Sequence, residues 1–530
     1  MYNIIDEVTK FLEAQLDNRY SSWASLPYLA DLLPETKTGA RRVIEALNKK
    51  ETIYFVHDSD ADGIGSASIL KSFFDYLNYG NRVHRITNRA DGYGFLPLHV
   101  DEAIEAGAKL IITSDNGITS KPATDYAVSK GIDVIITDHH TVDSNTYPDK
   151  AIVIDPQTGD DKLKDFKDVS GSIVAYFFCE EIARQLGTDR SELQKQFKVN
   201  EELGLTTISD VMKLQHMNRL FVKDALDYFN NPRKPYTEVF LNELKYDKTV
   251  NAESIGFSLA PTLNAANRFG VSESAYNFLI ANDEQKANQY WSYLTHLNEK
   301  RKLIIQQYVD MLSGSKIEFG DLVYVNLNNV EKGILGLLAN KLASAYNKPA
   351  IVTCNTESGM VHGSGRSVGD VNMLKILKAA GLEAGGHTHA FGCSFEYNKI
   401  PEVIKRLSGE LNNLPREQFL DPDKSNFKIT FDMITLDLYN LLNSYEPYGH
   451  GFRKPVFATD AVVVKAFRFG KQKNHTKFIL KDNANNEYEM IAFFETRNFK
   501  PGDKLQVNYE LHWDEYNKQV GARIQQLFIK

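Results

Sequence analysis

Four short apolar runs, each followed at once by acidic or imidazole side chains, constrain this chain more than any other feature. Ile53-Tyr54-Phe55-Val56 leads into His57-Asp58-Ser59-Asp60-Ala61-Asp62-Gly63, and Leu110-Ile111-Ile112-Thr113 into Ser114-Asp115-Asn116-Gly117. Val134-Ile135-Ile136-Thr137 leads into Asp138-His139-His140, and Ala151-Ile152-Val153-Ile154 into Asp155-Pro156. Strands buried on both faces read as continuous apolar runs, and helical patterns lie between most of these. The succession therefore predicts a parallel sheet of α/β type. Open α/β sheets carry their sites at the carboxyl ends of the strands, where the reactive residue types here fall.

The remainder divides around that sheet. At roughly one domain per ~150 residues, 530 residues suggest three or four units. Residues 1–225 read as N-terminal helices and the sheet domain, with Phe11, Leu12, Leu16, Val43, Ile44 and Leu47 at helical spacing. Residues 226–315 read as a helical connecting segment, ending in a long amphipathic helix from Glu284 to Leu312. A second α/β unit, 316–415, begins with the strand Leu322–Val325, a helix from Ile334 to Tyr346 and the strand Ala350–Thr353. From 426 to 530 about five short strands follow one another, a pattern that predicts a small β-barrel of the OB type.

Charge separates along the same lines. The whole chain carries −8, which argues against a wholly basic nucleic-acid coat protein. Residues 451–530 hold 14 basic and 9 acidic side chains, a balance of +5, while the first 450 carry −13. A basic module on an acidic body suits a polyanion grip beside a carboxylate site. Cys179, Cys354 and Cys393 are too few and too scattered for a disulfide framework or a CxxC zinc site. No run reaches the ~18 apolar residues of a membrane span. Asp6, Glu7 and Glu13 make the N-terminus unlike a signal peptide. The expectation is a soluble protein of a reducing compartment, the bacterial cytoplasm or, for a viral chain, that of its host.

Asp58, Asp60 and Asp62 place three carboxylates in five residues directly after a strand, where alternate side chains converge. Such a cluster repels itself unless a divalent cation neutralises it. An EF-hand would need Glu at position twelve, and counting from Asp58 that position is Ile69. Asp115, His139, His140 and Asp210 add oxygen and imidazole donors, a mixture suited to Mn²⁺ or Mg²⁺ rather than zinc. No Ser–His or Cys–His pairing competes as a nucleophile. Arg268, Arg366 and Arg89 are candidate phosphate receptors, Ser364 lies among the glycines beside Arg366, and Tyr93 could stack on a base. In the barrel region Arg468, Lys471, Lys473, His475 and Lys477 interleave with Phe467, Phe469 and Phe478, as a single-strand groove would.

These residues carry a resemblance that covers most of the chain. Asp58-Ser-Asp60-Ala-Asp62-Gly63, Ser114-Asp115-Asn116-Gly117, Asp138-His139-His140, Val169-Ser170-Gly171, Ile208-Ser209-Asp210-Val211, Pro261-x-Leu263-Asn264-Ala265-Ala266-x-Arg268, Gly363-Ser364-Gly365-Arg366-Ser367, Gly385-Gly386-His387 and Glu446-Pro447-Tyr448-Gly449 occur in order. The chain resembles the DHH phosphoesterase superfamily, and within it the bacterial single-strand-specific 5′→3′ DNA exonucleases. The resemblance implies a DHH catalytic domain, a DHH-associated domain and an OB-fold. It implies a two-metal centre of Asp58, Asp60, Asp62, Asp115, His139 and Asp210, with His140 beside it and Asp138 supporting a histidine. It also implies a 5′-phosphate pocket of Arg89, Arg268, Ser364 and Arg366, with His387 in a strand-facing turn. Single-stranded DNA is the implied partner, a single-stranded-DNA-binding protein or a helicase the candidate protein partners, a monomer the implied state, and DNA repair, recombination or replication the implied role.

Glu331 replaces a usual histidine, Asn267 a usual glycine, Thr262 a common Arg or Lys, and His450-Gly451-Phe452 a usual glycine-asparagine ending. The chain also ends directly after the barrel, which suggests that a partner-binding extension is missing. Two other readings stay open: a phosphodiesterase for oligonucleotides or cyclic dinucleotides, and an inactive DNA-binding scaffold. The barrel counts against the first and the intact carboxylates against the second, since buried charges without a use are costly.

Overall fold

The computed structural model describes residues 4–530 apart from 18, 89–90, 245–248, 313, 329, 357, 387–388, 420–425, 471–472 and 515–516. The expected parallel sheet consists of β1 (Thr52–His57), β2 (Arg82–Ile86), β3 (Ala108–Ser114), β4 (Asp133–Thr137) and β5 (Ile152–Ile154). Their order is β2-β1-β3-β4-β5, and every neighbouring pair is parallel. Strand alternation sends Ile53, Phe55, Leu110, Ile112, Ile135 and Ile154 into a core under the Glu35–Lys49, Ala61–Tyr76 and Gly171–Gln185 helices. Tyr54, Val56, Ile111, Val134 and Ile136 face the other way, onto the Pro97–Glu105 and Lys121–Ser129 helices. Burial on both faces is the reason the runs are continuously apolar. Strand β2 is absent from the sequence analysis because Arg82-Val83-His84-Arg85-Ile86 is an edge strand, where charge is favoured over apolar continuity.

The connecting segment is helical. Ala260–Arg268, Glu273–Leu279 and the 29-residue helix Glu284–Leu312 pack around Phe229, Tyr236, Phe240, Phe278 and Trp291. The second α/β unit has six strands: β6 (Glu318–Phe319), β7 (Leu322–Leu327), β8 (Ala350–Asn355), β9 (Met360–Arg366), β10 (Glu383–Gly386) and β11 (Ala390–Glu396). They run in the order β10-β11-β9-β8-β7-β6. The Lys332–Tyr346 helix joins the parallel pair β7–β8, and β8, β9, β11 and β10 form an antiparallel run. Those last strands carry Gly363, Gly365, Gly385, Gly386 and Gly392, a composition that hides strands from propensity.

The C-terminal barrel comprises β13 (Val456–Phe469), β14 (His475–Asp482), β15 (Glu487–Ala492), β16 (Lys504–Asp514) and β17 (Gln519–Ile529), preceded by β12 (Asn426–Lys428). Strand β13 pairs with both β14 and β16, and β15 pairs in parallel with β17, so the five strands close. This is the OB arrangement.

The barrel is not loosely tethered. The Ile4–Gln15 helix, although N-terminal, buries Ile4, Val8 and Leu12 in the barrel's core, and the Phe11 and Phe427 rings meet edge to face at 5.3 Å. Arg219, 3% exposed, donates to the Pro447 and Tyr445 carbonyls at 2.6 Å each and lies 4.3 Å from the Phe452 ring. Charge-assisted bonds of this kind are worth about 1.5–3 kcal/mol when one partner is removed. Arg219→Ala should therefore destabilise the whole chain by at least that amount in a denaturant melt. A melt superimposable on the parent's would show that the arginine does not join barrel to body.

Candidate metal centre and substrate cleft

The parallel strands deliver their polar ends to one place. Asp60 caps the Ala61–Tyr76 helix, its carboxylate accepting from the Asp62 and Gly63 amides at 3.0 and 3.1 Å. Asp62, in the first turn of that helix and 1% exposed, accepts from Gly171 N at 2.6 Å, Ser172 N at 3.1 Å and Ser172 Oγ at 2.6 Å. Gly171 has to be glycine: a methyl group there would lie 2.5 Å from Asp115 Oδ1. Asp115 follows β3 in the left-handed backbone region, φ 59°, which Asp tolerates better than most residues. Asp58 accepts from Thr87 Oγ1 at 3.2 Å.

His139 Nε2 lies 3.2 Å from Asp115 Oδ1, 3.6 Å from Asp210 Oδ2 and 3.8 Å from Asp62 Oδ2. Two donor groups result, Asp62/His139/Asp210 and Asp58/Asp60/Asp115, each with ligand atoms within 4.8 Å of one another. His140 joins a third, overlapping group with Asp115 and His139. Asp115 Oδ1 and His139 Nε2 are buried with no hydrogen-bond partner among the described residues. Such orphans are costly, and a shared cation would satisfy both. The donor set fits two oxygen-preferring divalent ions.

Electrostatics point the same way. Burial, then the Asp60 charge, pushes Asp58 up to about 7. Burial and the surrounding carboxylates raise Asp115 and Asp210 well above the ordinary carboxyl range. Burial also raises Asp62 and lowers His139. His140 goes the opposite way: burial opposes its charge, but the Asp138 hydrogen bond and charge outweigh it and bring the imidazole to about 10.

The Asp138 carboxylate meets the imidazole of His140. Its Oδ1 accepts from His140 Nδ1 at 2.7 Å and its Oδ2 from Ile118 N at 2.9 Å. His139, one residue on, instead uses the Val169 backbone. The two histidines therefore differ in kind: burial disfavours the charged form of His139, whereas Asp138 favours that of His140.

The helix Ala260–Arg268 braces the acidic loop. Asn264 Oδ1 accepts from Ala61 N at 2.9 Å, and Asn267 Oδ1 from Ser59 Oγ at 3.2 Å. Asn267, in place of a glycine, thus holds Ser59, and Thr262 takes a 2.9 Å bond from Asn298 of the long helix. Arg268 Nη1 donates to Gly333 O at 2.8 Å, at the start of the Lys332–Tyr346 helix. One turn along, that helix passes close enough that a methyl group on Gly336 would sit 2.9 Å from Ser364 Oγ and 3.3 Å from Arg366 Nη2. Arg268, Ser364 and Arg366 therefore gather round one helix N-terminus, whose dipole and free amides favour anions. Glu331 is the N-cap of that helix.

A cleft of about 870 Å³ separates the sheet ends from the second unit, with Tyr93, Asn116, Asp138 and His140 on one wall and His362, Gly385 and Ser394 on the other. Tyr93 is 69% exposed. Arg89, His387 and Lys471 lie outside the described residues.

In the barrel, Phe478 is fully buried and is core, whereas Phe467 is exposed and lies near Lys465 and Lys477. Lys477 is paired with Glu489, and Arg468 with Asn498 and the Thr496 carbonyl. Lys473 is exposed and His475 Nδ1 accepts from Phe494 N at 3.0 Å. Phe493 and Phe494, 48% and 71% exposed, extend this aromatic edge and were not picked out in the sequence. Lys341 of the second unit lies 5.6 Å from the Phe494 ring. The signal available was Phe493-Phe494 running past the end of β15, where no core remains to bury them.

A parallel sheet with a carboxylate–imidazole centre at its strand ends, an opposed α/β unit with an anion pocket, and an OB barrel together define a multidomain protein of metal-dependent phosphoester type. The DHH family N-terminal domain model matches residues 52–207, the DHHA1 domain 320–413 and the RecJ OB domain 425–526. The chain belongs to the DHH family, with the domain set of RecJ. It is similar to the single-stranded-DNA-specific exonuclease RecJ of Bacillus subtilis, at 26% identity over 93% of this chain and 63% of the relative. The RecJ of Haemophilus influenzae is 25% identical over 92% of this chain and 88% of its own length. The crystal structure of RecJ from Thermus thermophilus with Mn²⁺ shares the fold, with a TM-score of 0.79 at 23% identity, over 94% of this chain and 72% of that one. No described helix is long and apolar enough to cross a membrane.

The raised carboxyls fix a pH dependence for the metal-free chain. Their folded values exceed the unfolded ~3.9, so the folded state holds protons that the unfolded state has released, and stability falls as pH rises toward and past 7. His140, raised to about 10, adds to the fall above its ordinary value. In EDTA the melting temperature should be lower at pH 8 than at pH 6. Mn²⁺ should raise it at both, and more at pH 8, because fewer protons compete. A higher metal-free melting temperature at pH 8 would mean that the carboxylates are not in conflict.

Proposed function

We propose that the chain is an exonuclease that degrades single-stranded DNA from the 5′ end by two-metal-ion phosphodiester hydrolysis, serving DNA repair, recombination or replication. The observation that carries this reading is the pair of adjoining donor groups, Asp62/His139/Asp210 and Asp58/Asp60/Asp115, with one orphaned buried ligand atom in each, His139 Nε2 and Asp115 Oδ1, 3.2 Å apart. The domain set common to relatives named as single-stranded-DNA-specific exonucleases supports the substrate.

In this reading Asp58, Asp60, Asp62, Asp115, His139 and Asp210 would hold two Mn²⁺ or Mg²⁺ ions. Such a pair supplies water activation and charge neutralisation at phosphorus. The chain's own groups do the rest. Gly171 and Ser172 fix the Asp62 carboxylate, and Asp138 aims a cationic His140 at the developing negative charge. Arg268, Ser364 and Arg366 at the helix N-terminus, with Arg89, bind the 5′-terminal phosphate, Tyr93 stacks on the first base, and His387 contacts the strand. The barrel, through Phe467, Arg468, Lys471, Lys473 and Lys477, grips the strand further on. The same reading makes the chain a monomer acting beside a single-stranded-DNA-binding protein or a helicase.

Asp115→Ala should abolish cleavage of single strands while leaving their binding measurable by anisotropy, and full activity in that variant would remove the two-metal assignment. Strands labelled at either end should shorten from the 5′ side. A guanidinium–phosphate contact is worth about 1.5–3 kcal/mol, or one to two decades in rate. Arg366→Ala should lose that much turnover on 5′-phosphorylated strands and much less on 5′-hydroxyl strands. Equal losses on both would make Arg366 a general structural arginine.

A further inference from the structure

The supports of one ligand group converge on the segment Lys167–Ser172, which enters the Gly171–Gln185 helix. Gly171 N, Ser172 N and Ser172 Oγ hold the Asp62 carboxylate. The Val169 backbone accepts from the His139 imidazole. Nε2 of that ring has no hydrogen-bond partner among the described residues, so the bond to Val169 is made by Nδ1. A proton fixed on Nδ1 leaves the Nε2 lone pair for a cation. Where Val169 stands therefore decides where that lone pair points.

Two amide side chains fix the segment. Gln157 Nε2 donates to Lys167 O at 2.7 Å and to His139 O at 3.3 Å. One NH2 group thus commits both its hydrogens, one to the backbone from which the imidazole hangs and one to the backbone leading to the carbonyl that the imidazole meets. The turn carrying Gln157 is itself held. Asp155, fully buried, accepts from Gln157 N at 2.8 Å, and Lys167 Nζ donates to Gly159 O at 3.0 Å. From the other side Asn218, 3% exposed, donates to Asp168 O at 2.7 Å and to Lys213 O at 3.0 Å. Lys213 belongs to the loop that follows Asp210, so the same segment is tied to the third ligand's chain.

We propose that Gln157 is a positioning residue of the metal centre. It sets the affinity of Asp62, His139 and Asp210 for a divalent cation by holding the His139 loop and the Lys167–Ser172 segment in one register, with Asn218 as its counterpart on the Asp210 side. The proposal rests on the two-metal part of the reading above. Partners that orient metal ligands are worth about 10- to 100-fold in metal affinity. Gln157 is half-buried, so its side chain can be replaced without opening a cavity in the core.

The test compares the full chain with two variants. Gln157→Met keeps the length of the side chain and removes both donors. Thr158→Val removes the 2.7 Å bond from Thr158 Oγ1 to Asp155 O in the same turn, a bond that reaches neither His139 nor Lys167. Mn²⁺ binding is read by titration calorimetry on chains stripped with EDTA, and melting temperatures are read with and without the ion. Gln157→Met should raise the Mn²⁺ Kd about 10- to 100-fold. It should also shrink the rise in melting temperature that Mn²⁺ brings, while the metal-free melting temperature stays close to the parent's. Thr158→Val should leave the Kd unchanged. In cleavage assays Gln157→Met should need correspondingly more Mn²⁺ for half its maximal rate and recover the parent's rate at saturation. An unchanged Kd in Gln157→Met, or an equal loss in Thr158→Val, overturns the positioning role and leaves Gln157 a residue of turn stability. A parent that binds Mn²⁺ but cuts no single strand overturns the nuclease reading, and the Kd comparison still decides the role of Gln157. A parent that binds no Mn²⁺ overturns both.

Discussion

Mutual repulsion among buried carboxylates is the constraint on which the rest of this structure depends. Asp58, Asp60, Asp62, Asp115 and Asp210 converge where four strand and helix ends meet, and in the absence of cations burial drives several of them toward the protonated form. A chain would not assemble that cluster unaided. The amides of Gly171 and Ser172, the helix capped by Asp60 and the asparagines of the Ala260–Arg268 helix each hold one piece of it. The fold stabilises an arrangement whose own electrostatics oppose it, and the opposition is what makes it a strong cation receptor.

That centre is coupled mechanically to the anion pocket. The same helix that braces the acidic loop through Asn264 and Asn267 ends in Arg268, which bonds to the first turn of the Lys332–Tyr346 helix. Ser364 and Arg366 pack on the next turn. The N-terminus of that helix is therefore tied to the acidic cluster through two helices rather than across a flexible linker.

The barrel belongs to the same body. Arg219 and the N-terminal helix anchor it, and the contact of Lys341 with Phe494 meets it from the other side. Its aromatic edge thus approaches the second α/β unit.

Much of this was written locally. Continuous apolar runs marked β1, β3, β4 and β5, and side chains placed directly after them could only lie at the sheet's carboxyl edge, so Asp58, Asp60, Asp62, Asp115, His139 and His140 were visible as a cluster before any coordinates. Strand alternation likewise announced the barrel. What local pattern could not carry is anything set by pairing across distance. Edge strand β2 and the glycine-rich strands β9–β11 lack an apolar signature because their stability comes from neighbours. That the Asp138 carboxylate meets the imidazole of His140 rather than that of His139, that Arg268 meets Gly333, and that Ile4–Gln15 belongs to the barrel core are contacts between residues far apart in sequence or one rotamer apart in space. The exposure of Phe257 and Phe494 against the burial of Phe478 was equally unreadable, since a phenylalanine in a sequence carries no mark of which side of a packed surface it will occupy. Local chemistry determined the donors; only the tertiary structure, through packing and hydrogen bonds closed across the chain, decided which of them meet.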